Sequence, residues 1–287
     1  MFLPACSRAG VWRLKTRALT LGATPRLMGI LNITPDSFSD GGRFLDPRQA
    51  LDHAWRLIDE GADLIDVGGQ STRPYALAVA DDEQLRRVMP VIERLAPACE
   101  IPISIDTSSS AVARQAVAAG AEIINDVTGL TGDPAMPALA AETLAGVCCM
   151  HMLGDPRTMQ DDPRYENVVE EILEYLRRRR DALIAAGIAA ERICVDPGIG
   201  FGKTHAHNLT LMANCHRFHA LGQPLLVGHS RKAFLGRIIG DQEADRTAAT
   251  IGAAVALAEQ GVQIIRVHDV RPTREALAAY FACARNG

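Results

Sequence analysis

The chain has 287 residues, 48% of them hydrophobic, with 34 acidic against 30 basic side chains and a formal net charge of −4. That length can bury a large core, and the charge balance excludes a general nucleic-acid or membrane-coating surface, which leaves a small-molecule substrate as the expected partner. Seven cysteines without a C-x-x-C pair exclude a disulfide framework and a zinc ribbon; reduced, mostly buried thiols are expected.

Residues 1–26 read as an N-terminal lead-in, with residues 1–10 as a flexible tail. "LPAC" at residues 3–6 resembles a lipoprotein cleavage box, but too few residues precede Cys6 for the apolar region a signal peptide needs. No apolar run approaches a membrane span, so a cytoplasmic enzyme is expected. From residue 27 to 287 one unit recurs: a short apolar strand ending in polar residues, then a helical pattern. The strands read "LMGILN" (27–32), "LIDVGG" (64–69), "IPISIDT" (101–107), "IINDVTG" (123–129), "GVCCMHM" (146–152), "RICVDPG" (192–198), "PLLVGHS" (224–230) and "IIRVHDV" (264–270). Between them Leu51, Ala54, Trp55 and Ile58 share one helical face, as do Leu85, Val88, Met89 and Ile92, and Asp46-Pro47 and Asp133-Pro134 read as helix starts. Eight such units without a linker predict a single-domain (β/α)8 barrel, with a doubly wound open sheet as the alternative.

In a barrel the carboxyl ends of the strands surround one mouth. This chain places Asn32, Asp66, Asp106, Asn125, His151, Asp196, Lys232, Arg266 and His268 there. Asp106, Asn125 and Asp196 together suit a flat heterocycle with N–H donors and a carbonyl, a guanine-like or pterin-like ring, and Lys232 can donate to such a ring. Arg266 and His268, two residues apart on one strand, point the same way and suit an anion such as diphosphate. Asp66 and His151 could equally bond only to nearby backbone. The arginines at 177–180 follow Glu170, Glu171 and Glu174 at helical spacing and read as a solvated face. His205-x-His207 and His216-x-x-His219 lack a third ligand and are assigned no metal.

"VDPGIGFGKTH" (195–205) imitates a nucleotide loop, but a P-loop needs glycine where Pro197 stands, and the glycines are spaced G-x-G-x-G rather than G-x-G-x-x-G. A phosphate cradle is therefore not expected, and Lys203 reads as solvated or structural.

From about residue 27 onward the chain resembles the dihydropteroate synthases. The resemblance rests on "MGILNITPDSFSDGG" (28–42), "DVGGQSTRP" (66–74), "SIDTS" (104–108), "INDVTG" (124–129), "MHMLGDPRTMQ" (150–160), "DPGIGFGKT" (196–204), "GHSRKAFLG" (228–236) and "IIRVHDV" (264–270). It implies condensation of 6-hydroxymethyl-7,8-dihydropterin diphosphate with p-aminobenzoate to 7,8-dihydropteroate and diphosphate. It also implies a dihydropterin set of Asp106, Asn125, Met150, Asp196, Phe201, Lys232 and Arg266. The implied p-aminobenzoate set is Phe38, Ser71, Thr72, Arg73, Pro74, Phe201 and Lys232, and the diphosphate set is Asn32, Thr72, Arg266 and His268. Mg²⁺ is implied on Asn32 and phosphate oxygens, and catalysis rests on Asp106, Lys232, Arg266 and His268. A homodimer and inhibition by sulfonamides, which mimic p-aminobenzoate, are implied likewise.

Four positions depart from the family pattern: Gln70 where Glu is usual, Tyr75 where Gly is common, His229 for Met, and Ala233 for a Ser bordering the p-aminobenzoate carboxylate. A non-catalytic pterin-binding paralogue would not need Thr72-Arg73-Pro74, Phe38 and Lys232. A pterin-dependent methyltransferase on the same barrel would not need the "SRK" triplet, the "TPDSFSD" loop and the R-V-H anion site together.

Overall fold

The computed structural model describes residues 8–34, 47–73 and 75–285. A hairpin of β1 (Val11–Arg13) and β2 (Ala18–Thr20) is followed by eight parallel strands: β3 (Arg26–Asn32), β4 (Leu64–Gly68), β5 (Ile103–Asp106), β6 (Ile123–Asp126), β7 (Gly146–Met150), β8 (Ile193–Asp196), β9 (Leu226–Gly228) and β10 (Ile264–Val267). Their order is β8-β7-β6-β5-β4-β3-β10-β9, and a parallel bridge from Val195 to Leu225 joins the two ends into a ring. Closure of that ring makes the fold a (β/α)8 barrel and removes the open-sheet alternative.

The strands are rich in Ile, Val, Leu and Cys because both faces are covered. One face packs outward on helices α1 (Pro47–Asp59), α2 (Asp81–Leu95), α3 (Ser110–Ala118), α4 (Met136–Thr143), α5 (Val168–Ala185), α6 (His205–Ala213), α7 (Ala233–Ile239), α8 (Thr247–Glu259) and α9 (Val270–Arg285). The other face fills the barrel. Its floor is Met28, Leu64, Ile123, Cys148, Cys194, Leu226 and Ile264. Two residues further along these strands lie Asp66, Asn125, Met150, Asp196 and Arg266. With side chains alternating, the same face passes from an apolar floor to a polar mouth within one step.

The lead-in from residue 8 is part of this architecture. Trp12, Leu14 and Leu21 are buried against the barrel floor, and Trp12 Nε1 donates to Arg192 O at 2.9 Å. Of the expected tail, residues 1–7 lie outside the described residues; Gly10 O accepts from Leu21 N at 2.9 Å and Ala9 O accepts from Gln263 Nε2. Period-based reading misses a hairpin of three-residue strands.

Two local expectations shift. Asp133 does not cap its own helix, which starts at Met136; its carboxylate accepts from Ser110 N at 2.8 Å and Ala135 N at 2.9 Å, tying α3 to the turn before α4. Asp46 lies outside the described residues, and α1 begins at Pro47. In the arginine run Arg177 and Arg178 pair with Glu174 in solvent, whereas Arg179 donates to Gly129 O and Arg180 to Leu221 O. Half of that face is therefore bound to neighbouring loops. The cysteines in the described residues are all free, with Cys148, Cys149, Cys194 and Cys215 buried.

Candidate active site

The polar layer above the barrel floor is organised around Arg266. Its Nε donates to Asp66 Oδ2 at 2.6 Å and its Nη2 to Asp106 Oδ2 at 2.8 Å, while Asn125 Nδ2 also donates to Asp66 Oδ2 at 3.0 Å. Four strands thus meet in one hydrogen-bonded cluster, with Asp66 fully buried and its Oδ1 unpartnered. On the opposite wall Asp196 Oδ1 accepts from Gly198 N at 2.7 Å. Lys232 Nζ donates to Ile199 O and lies 4.5 Å from the centre of the Phe201 ring. Met150 is the register neighbour of Asp196 and is buried.

Burial sets the ionisation of this layer. It raises the Asp106 carboxyl to about 7 against the opposing pull of Arg266, and the Asp196 carboxyl to about 6 against its bond from Gly198. It lowers the Lys232 ammonium to about 7, with Asp196 pulling the other way. Burial also opposes the charge of Arg266, but Asp66 and Asp106 outweigh it and its pKa rises. The result is one permanently charged guanidinium beside carboxyl and amine groups that can each change state near neutrality, a suitable lining for a polar ring whose own charge changes during reaction.

His268 follows β10. Its backbone N–H donates to Ser230 Oγ at 3.2 Å, and the same oxygen lies 2.9 Å from its Nδ1. The hydroxyl has one proton and two lone pairs, so it accepts from the backbone N–H and bonds to Nδ1 in either tautomer of the ring, anchoring the ring by that edge. Burial, then Arg266, lowers the His268 pKa to about 3. His268 is therefore a neutral ring at this mouth, not the positive charge its pairing with Arg266 in sequence suggests. Arg266 itself, with Asn32, Thr34, Gln70, Ser71, Thr72 and Arg73, lines a 60 Å³ pocket. A larger cavity of 230 Å³ adjoins it through Gln70 and Thr72 and reaches Asp106.

With that geometry in place, the comparisons are specific. The model of the family described as pterin binding enzyme matches residues 28–268. The chain belongs to the dihydropteroate synthase family of pterin-binding enzymes. The dihydropteroate synthase of Escherichia coli strain K12 is 47% identical over 253 residues, spanning 88% of this chain and 89% of that protein. The Yersinia pestis dihydropteroate synthase, solved in a sulfonamide drug complex, superposes with a TM-score of 0.90 at 43% identity, covering 96% of this chain and 100% of that one. The Xanthomonas albilineans enzyme, solved with 4-aminobenzoic acid, gives 0.89 at 44% identity over 96% and 98% of the two chains. Solved with 7,8-dihydropteroate it gives 0.85 at 42%, with the same coverage.

Within this family framework the structure brings Asp106, Asn125, Met150, Asp196, Phe201, Lys232, Arg266 and His268 to one mouth, and Asn32, Ser71, Thr72 and Arg73 to the adjoining pocket. Phe38 and Pro74 lie outside the described residues. Two residues of the site escape reasoning by residue type. Asp66 had an equal claim to a local backbone role, yet it binds Arg266 and Asn125; its position two residues above Leu64 of the floor, matching Asn125 above Ile123, is the signal that places it. Ser230 anchors the His268 ring from the neighbouring strand's loop, and nothing in its own sequence context marks that role. Of the two readings of Lys203, solvated or structural, the structural one holds: it is buried with its Nζ 3.0 Å from His151 Nδ1, and this pairing takes His151 out of the mouth.

Proposed function

We infer that this chain is a dihydropteroate synthase, joining 6-hydroxymethyl-7,8-dihydropterin diphosphate and p-aminobenzoate to give 7,8-dihydropteroate and diphosphate. The observation that carries this reading is the Asp66–Arg266–Asp106 cluster, with Asn125 and Asp196, at the mouth of a chain of this family. Asp106, Asn125, Asp196 and Lys232 would hold the dihydropterin by its donor and acceptor edges, with Met150, Phe201 and Arg266 around the ring. Arg266, His268, Thr72 and Asn32 would take the diphosphate, and Ser71, Thr72, Arg73, Phe201 and Lys232, with Phe38 and Pro74, the p-aminobenzoate.

In the reaction the C–O bond to diphosphate breaks, its electron pair leaves with the phosphate, and the amine nitrogen bonds to the exposed CH₂ and releases a proton. Arg266 and His268 would stabilise the departing anion, while ionised Asp106 would stabilise positive charge left on the pterin. The arylamine is neutral near pH 7 and needs placement more than activation.

The described residues contain no group of three or more His, Cys, Asp or Glu side chains fit to hold a metal. Asn32, half-buried in the 60 Å³ pocket beside Arg266, offers one neutral amide oxygen. That fits Mg²⁺ carried in by diphosphate and keeping its waters. When bound it would neutralise charge on the leaving group.

We further propose a homodimer formed through the late helices, where Leu209, Ile238 and Ile239 leave apolar side chains exposed. Among the described residues no helix is long and apolar enough to cross a membrane, in keeping with the proposed cytoplasmic location. Purified protein with both substrates and Mg²⁺ should release diphosphate and form dihydropteroate, detected by mass. An Asp196→Ala variant and excess chelator should each abolish both products. Pterin binding without either product would instead favour the non-catalytic paralogue.

A further inference from the structure

The loop from Asp196 to Thr204 joins β8 to α6 and is pressed onto its surroundings through backbone. Gly198, Gly200 and Gly202 have φ of 68°, 86° and 65°. A Cβ on Gly198 would stand 1.9 Å from His151 O, one on Gly202 2.6 Å from Leu153 O, and one on Gly200 3.0 Å from Lys232 Cδ. The loop's polar backbone is consumed by the protein itself. Gly200 N donates to Asn208 Oδ1 at 2.7 Å, and Gly200 O accepts from Gln160 Nε2 at 2.6 Å. Gly202 O accepts from Tyr165 Oη at 2.9 Å. A loop bonded in this way is a clamp, not a phosphate cradle.

Lys203 supplies the amine of that clamp. It is 3% exposed, and its Nζ donates to Phe201 O at 2.8 Å and His151 O at 3.4 Å besides facing His151 Nδ1 at 3.0 Å. It forms no ion pair within salt-bridge distance among the described residues. Burial lowers its pKa well below the usual lysine value, and burial with Lys203 lowers that of His151 to about 2. A buried amine without a carboxylate partner costs stability that an apolar side chain would not. What it holds is specific: the carbonyl of Phe201, whose ring supports the Lys232 ammonium, and a ring, His151, stacked edge-on against Tyr175 at 4.7 Å.

We propose that Lys203 and His151 form a positioning pair that sets Phe201, and through it Lys232, on the amine side of the reaction. The inference rests on the assignment of Phe201 and Lys232 to p-aminobenzoate made above. Lys203→Met keeps the length and removes the charge. Its KM for p-aminobenzoate should rise about tenfold, KM for the dihydropterin diphosphate should rise as well because Phe201 and Lys232 also border the pterin, kcat should change far less, and Lys203→Arg should recover part of the loss. Lys203→Met combined with His151→Leu should do no more harm than either change alone. Unchanged KM values, or a fall in kcat alone, overturn the proposal.

Nitrogen NMR of the wild-type imidazole tests the pair without catalysis or a folded variant. His151 Nδ1 should show the shift of a hydrogen-bonded nitrogen through neutral pH, and the shift of a free Nδ1 overturns the pairing. Absence of pteroate synthesis by wild-type protein would instead refute the functional reading and leave this NMR result standing.

Discussion

Asp66 Oδ2 accepts from Arg266 Nε at 2.6 Å, a contact between neighbours in space that lie 200 positions apart in the chain. The carboxylate is fully buried, so removing its charge strands a guanidinium that still pairs with Asp106 but loses its second anchor. Asp66→Asn should cost about 3 kcal/mol in urea unfolding, the scale for breaking a buried pair. It should also lower turnover about a hundredfold, because Arg266 would be free to swing away from the leaving group. Unfolding and steady-state assays on one preparation check both.

Asp106 and Asp196 give the ligand-free protein a specific pH response. Their folded pKa values, about 7 and about 6, lie above the 3.8 of an unperturbed aspartate. The folded chain therefore binds more protons between these limits, and the stability these groups contribute is complete below pH 3.8 and is lost as pH rises through the folded values. The buried histidines His151, His229 and His268, all lowered, act in the opposite sense, so the whole-protein curve does not isolate the carboxyls. The difference does. Relative to an Asp106→Asn variant, wild-type protein should lose melting temperature from pH 4 to 7 and hold a constant offset above 8; an offset that is flat from pH 4 to 7 would refute the raised pKa.

The barrel was legible because each strand announces itself as an apolar run closed by a polar residue, and the ring of polar ends follows from strand parity. Arg266, Asp106, Asn125 and Asp196 were found that way. The hairpin plug was not, since Val11–Arg13 and Ala18–Thr20 are too short for any period to register. Nor was the fate of Lys203 or the anchoring of the His268 ring, because each depends on a partner, His151 or Ser230, brought close only by the pairing of neighbouring strands, β7 with β8 and β9 with β10. Residue type names the candidates for a site; the distances decide which are paired among themselves and which remain for a ligand.

Ala233 opens α7 and is exposed beside Lys232. Family resemblance puts a serine hydroxyl there, next to the p-aminobenzoate carboxylate. A hydrogen bond to a charged group contributes about 1.5–3 kcal/mol, so Ala233→Ser should lower KM for p-aminobenzoate about tenfold. The dihydropterin KM and the melting temperature should stay put, since the new hydroxyl touches neither the pterin set nor the core. Titration of both substrates against the variant decides it, and an unmoved p-aminobenzoate KM would mean that Lys232 or backbone already satisfies the carboxylate.

Tyr75 adopts φ of 64°, a left-handed conformation that costs a side-chain-bearing residue about 1 kcal/mol. Its backbone N–H donates to Pro156 O at 2.9 Å and its exposed hydroxyl donates to Asp161 Oδ1 at 3.3 Å, joining the second βα loop to the loop after β7. Glycine, common here in the family, would keep the backbone bond, relieve the strain and lose only the solvent-exposed side-chain contact, which is worth a few tenths of a kcal/mol or about that. Tyr75→Gly should therefore gain stability, raising the melting temperature by about 2 °C in a chain of this size. Tyr75→Phe keeps the strain and loses the hydroxyl, so it should shift slightly the other way. Calorimetry of the two variants separates the effects by sign; a fall with glycine would show that the Asp161 contact outweighs the backbone cost.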